Sequence, residues 1–85
     1  MKREDVYKLI DGERAYQIKR WEDGLRLVPD NEKSVAEWII YMETLLNDSK
    51  NKVYFLDKDG ALEFIRKATA VGVACLENNE CKPRS

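Results

Sequence analysis

The chain has no histidine, and its 85 residues include only two cysteines, two prolines and four glycines. Without histidine it lacks the usual base that activates serine or cysteine nucleophiles, and it has no imidazole to join two thiolates around zinc. Cys75 falls in an apolar helical segment and Cys81 in a polar tail, so the two do not suggest a disulfide framework. No Gly-x-Ser-x-Gly elbow and no glycine-rich phosphate loop is present. Long apolar runs are missing too. None approaches the roughly 20 residues of a membrane span, and Met1-Lys2-Arg3-Glu4-Asp5 lacks the apolar segment of a signal peptide. Neither sign of charge dominates: 15 Lys and Arg against 16 Asp and Glu give a net charge of -1. That balance argues against non-specific nucleic-acid or anionic-membrane binding. A cytoplasmic protein is expected.

With 44% hydrophobic residues and few helix breakers, the chain reads as one folded helical domain over residues 1–79, followed by a flexible tail over 80–85. A chain this short buries only roughly 60 to 65% of its unfolded surface, so self-association would help it. There is no internal repeat, low-complexity tract or sustained heptad pattern.

Val6, Leu9, Ile10 and Trp21 set the phase of a first helix from about Glu4 to Trp21. Glu13 and Gln17 sit in the middle of that apolar stripe. Burying an unpaired carboxylate is expensive, so the pair needs another helix, a ligand or a second subunit opposite it. Gly12 costs the helix about 1 kcal/mol relative to Ala. We expect one continuous helix in which Gly12 admits a close neighbour. Residues 22–33 form a long connection with turn signals at Gly24 and Pro29-Asp30, while Leu25, Leu27 and Val28 favour a loop folded back over the helices.

Ser34-Val35-Ala36-Glu37 is a capping box, followed by Val35, Trp38, Ile39, Met42, Leu45, Leu46 and Val53 on one helical face. Asp57-Lys58-Asp59-Gly60 is a turn with Asp59 as the N-cap of a third helix, about Ala61 to Glu77. That helix has two adjacent apolar faces. Leu62, Ile65, Thr69, Gly72, Val73 and Leu76 form one, and Phe64, Ala68, Val71 and Cys75 the other. With only two other helices available, the second face reads as a homodimer interface. The fold class that follows is all-α, a three-helix antiparallel arrangement completed into a bundle by homodimerisation.

The remaining catalytic chemistry would be carboxylates around magnesium, which need two or more acids three or four residues apart on one helix face. Glu37 and Glu43 diverge by about 120°. Glu63 is followed at the corresponding positions by Arg66 and Lys67.

Gly12-Glu13-Arg14-Ala15-Tyr16-Gln17 to Trp21, Ser34-Val35-Ala36-Glu37-Trp38 and the run from Glu63 to Glu77 together resemble small phage-encoded proteins related to the MazG-like all-α nucleoside triphosphate pyrophosphohydrolases. The resemblance implies antiparallel helices assembled into dimers or larger oligomers. It also implies nucleotide cleavage with magnesium held by E-x-x-E and E-x-x-D motifs. Glu43 matches the first motif and Glu63 opens the second, but Leu46 and Arg66 stand where the partner acids belong. Half a carboxylate cage does not hold magnesium tightly, so we expect a scaffold without hydrolysis, metal or cofactor. The opposing reading is a magnesium-dependent pyrophosphohydrolase whose site Glu13, Glu37, Glu43 and Glu63 complete across a dimer.

Arg66 can pair with Glu13 or take a phosphate in a bidentate contact. The ligand-binding candidates are therefore Glu13, Arg14, Gln17, Arg20 and Arg66, with Trp21 and Trp38 for stacking. The sequence favours a non-catalytic, homo-oligomeric binding protein that takes a host protein or sequesters a small nucleotide, a role that would serve to counter host defence. A structural or assembly role is a third reading.

Overall fold

Two of the three long helices start beside a side chain that accepts from their free amides. In the computed structural model, which describes residues 1–20 and 30–84, the helices are α1 (Arg3–Arg20), α2 (Val35–Tyr54) and α3 (Lys58–Glu77). A single 3-10 turn, Asp30–Glu32, precedes α2, and the described residues contain no strand. No described helix is long and apolar enough to cross a membrane. Trp21 and the proposed fold-back of Leu25, Leu27 and Val28 lie outside the described residues.

The capping box forms as expected: Ser34 Oγ accepts from the Glu37 amide and Glu37 Oε1 from the Ser34 amide, both at 3.2 Å. The third helix starts earlier than expected, because Asp57 and not Asp59 is its N-cap, accepting from the Gly60 amide at 2.9 Å. Gly60 makes this possible. A Cβ there would run into the Asp57 carboxylate. Between α2 and α3 the chain turns through Leu56, at φ 57°, with Leu56 N–H donating to the Val53 carbonyl and Asp57 N–H to the Lys52 carbonyl. This is the Schellman arrangement, with leucine in the left-handed position that glycine normally takes.

The turn folds α3 back along α2 as an antiparallel hairpin. Its core is small: Trp38, Val71 and Ala74 at the centre, flanked by Met42, Leu45 and Cys75. Alanines on α3 leave room for the Trp38 indole, and Gly72 leaves room for Met42, whose Cε would stand 3.2 Å from a Cβ at that position. The face expected to serve as the dimer interface is therefore occupied within the chain. Ala68 and Val71 are buried and Phe64 and Cys75 partly so, while Leu62, Ile65 and Leu76 are left exposed.

Helix α1 packs chiefly on α3. It runs unbroken through Gly12, but the close neighbour expected there is absent among the described residues, none of which lies within 4 Å of where a Cβ would be. Gly12→Ala is thus expected to stabilise the protein by about 0.5–1 kcal/mol in urea unfolding. Gly60→Ala is the contrast. There the same gain in helix propensity is offset by the displaced Asp57 cap, so no stabilisation is expected.

Candidate functional site

Of the residues that α1 buries, only Ile10 is apolar; the others are Glu13, Arg14 and Gln17. The helix is attached through charge and hydrogen bonds, as the placement of Glu13 and Gln17 in its inner stripe suggested. Arg66 Nε, on α3, donates to Glu13 Oε1 at 2.8 Å. Gln17 Nε2 donates to the Lys67 carbonyl at 3.2 Å and to Glu13 Oε2 at 3.4 Å. A turn of helix separates Glu13 from Gln17, so both reach the same stretch of α3.

Arg14 points elsewhere. Its Nε and Nη2 donate to the two Glu77 carboxylate oxygens, each at 3.2 Å, and Nη2 lies 3.6 Å from Asp30 Oδ2. Asp30 also pairs with Lys33 at 2.8 Å, and the Lys33 ammonium lies 4.8 Å from the centre of the Trp38 ring and 5.4 Å from that of Tyr41. This second network ties the entry of α2 to the middle of α1 and the end of α3.

Beside the first network a cleft of about 460 Å³ opens between the helices, within the range of small-molecule sites. Glu13, Tyr16, Gln17 and Arg20 line it from α1, Tyr41, Thr44 and Leu45 from α2, and Lys67 and Val71 from α3. Gln17 Oε1 is buried and finds no donor among the described residues. An unmatched buried amide oxygen is destabilising by about 1–3 kcal/mol. Tyr16 and Tyr41, both about half exposed, give the cleft aromatic walls. Arg20, whose Nη1 donates to the Tyr16 hydroxyl at 3.4 Å, and Lys67 give it positive charge.

The site candidates from the sequence divide accordingly. Glu13, Gln17 and Arg20 meet at the cleft, whereas Arg66 stands behind it, holding Glu13. Arg14 is committed to Glu77 and Asp30. Trp38 is a correction: it is fully buried in the hairpin core and has no face to offer a ligand. Tyr16, Tyr41, Thr44 and Lys67 were not singled out in the sequence. Tyr16 and Arg20 are four residues apart, and that spacing, which places them side by side on a helix, was the available signal.

The acids of the enzyme reading are dispersed. Glu13 is paired with Arg66, Glu37 caps α2, and Glu43 and Glu63 are exposed. Among the described residues, no group of three or more His, Cys, Asp or Glu converges as metal ligands would. Searches of family models, curated proteins and solved structures find no match to the chain.

Removing one partner of the Glu13–Arg66 pair leaves the other charge uncompensated. The Glu13 side chain is only 7% exposed but Arg66 is 32% exposed, so Arg66→Ala is expected to cost about 2–3 kcal/mol, below the range for fully buried pairs. Glu13→Leu combined with Arg66→Met should recover most of that loss in a double-mutant cycle read by urea unfolding.

Proposed function

We propose that this chain is a non-catalytic helical binding protein that sequesters a nucleotide in the cleft between α1, α2 and α3. In this reading it acts as a homo-oligomer in the cytoplasm of a phage-infected cell, on a scaffold related to MazG-like pyrophosphohydrolases that has lost their metal cage. The observation that carries the reading is the cleft with tyrosine walls and two cations. A purine or pyrimidine ring can stack on Tyr16 or Tyr41, while Arg20 and Lys67 take the phosphate. No step of this recognition needs a metal. Capture of a host protein is a second reading, favoured by Tyr54 and Phe55, which are 75% and 80% exposed at the tip of the hairpin.

Isothermal titration with nucleoside mono- and triphosphates in the presence of a chelator tests the first reading. Binding is expected without magnesium. Tyr41→Ala should weaken it roughly 10- to 100-fold, the usual range for loss of a stacked base, and Arg20→Ala should weaken triphosphates more than monophosphates. Absence of binding at millimolar nucleotide would end the nucleotide reading. Magnesium-dependent release of pyrophosphate would restore the enzyme.

A further inference from the structure

Lys33 carries a buried charge. Its side chain is 3% exposed, and the ammonium lies 2.8 Å from Asp30 Oδ1, over the Trp38 ring at 4.8 Å and the Tyr41 ring at 5.4 Å. The backbone fixes the start of that side chain: the Lys33 amide donates to the Asp30 carbonyl at 3.3 Å, and Ser34, next in the chain, caps α2. Trp38 and Tyr41 are three residues apart and stand side by side on the helix, so one ammonium reaches both rings.

Covering Trp38 does not require a charge. An apolar side chain in place of Lys33 would pack on the indole without the desolvation cost of an ammonium. The place is also unfavourable for a cation, because the start of a helix carries the positive end of its dipole. What the charge adds is a hold on a ring that packing alone does not fix. Tyr41 is 52% exposed, and its hydroxyl has no hydrogen-bond partner among the described residues. The same ring lines the cleft between the helices, which Lys33 itself does not line.

We infer that Lys33 is a positioning residue of the cleft, its ammonium holding the Tyr41 ring as the wall on which a ligand's aromatic ring stacks. This deepens the nucleotide reading and rests on it. The hold extends past Lys33: Asp30, which places the ammonium, also lies 3.6 Å from Arg14 Nη2, and Arg14 follows Glu13 of the clasp on α1. The charge network around Arg14 and the cleft are thereby joined through one ring. A cation over a ring in a desolvated setting contributes a factor of roughly 3 to 30. Without it the ligand must order the ring itself, and binding weakens by about that factor.

Two measurements on the full chain test this: carbon-13 relaxation of the tyrosine rings without ligand, and calorimetric titration with adenosine, uridine and their 5′-monophosphates in the presence of a chelator. In Lys33→Met the Tyr41 ring should lose order while the rings of Tyr7 and Tyr54 are unchanged. Nucleoside and monophosphate should both bind roughly 3- to 30-fold more weakly, by the same factor, because the role runs through the stacked ring and not through the phosphate. Lys33→Arg, which keeps the cation, should restore ring order and affinity. If Lys33→Met unfolds, Lys33→Gln decides, since it keeps a donor for Asp30 without the charge. An ordered Tyr41 ring in the uncharged variant, an unchanged affinity, or a loss confined to the monophosphates overturns the positioning role and leaves the nucleotide reading standing. A wild type that binds none of the four probes overturns both.

Discussion

Burial of Glu13 against Arg66 determines how α1 meets the α2–α3 hairpin. A carboxylate whose side chain is 7% exposed must have its cation, and the 2.8 Å contact supplies it from α3. Because the α1 face that meets α3 is polar, α1 does not seal against the hairpin as an apolar helix would. It crosses on hydrogen bonds from Glu13, Arg14 and Gln17, and the space beside them remains a cleft. The same choice leaves the hairpin short of apolar cover, since α1 buries little beyond Ile10.

The two sides of the α2–α3 hairpin are consequently different in character. Towards α1 they carry Tyr41, Thr44 and Lys67. Away from it they carry half-exposed Leu, Ile and Val. The core between them, built on Trp38, Val71 and Ala74, is small for an independent domain, as expected where chain length limits burial. Binding on either side would stabilise the folded chain by mass action.

Much of the helical architecture was legible in the sequence because it rests on local rules. The Ser34–Glu37 capping box and the continuity of α1 through Gly12 follow from residues within a turn of one another. The polar positions Glu13 and Gln17 stood out because they interrupt an apolar stripe, and Arg66 because it stands where an acid would complete a metal motif. What the sequence could not decide was which of two adjacent faces of α3 turns inward. Ala68, Val71 and Cys75 look like a contact surface for any helix; they meet α2 because that face, lined with alanine, accepts Trp38. Which apolar residues of the hairpin remain uncovered, Leu46, Val53, Leu62 and Ile65 among them, became visible only in the structure. Asp57 displaced Asp59 as the cap for a reason local in sequence but three-dimensional in effect, the clearance over Gly60.

Helix α1 is held by a polar clasp, and the cleft beside it is the site proposed to take a nucleotide. Residue-resolved amide hydrogen exchange tests it most directly. Amides of α1 around Ile10–Gln17 should open at a lower free energy than those of α2 and α3, and saturating nucleotide should raise protection in α1 selectively. Exchange of α1 only through global unfolding, together with α2 and α3 and unchanged by nucleotide, would contradict the account.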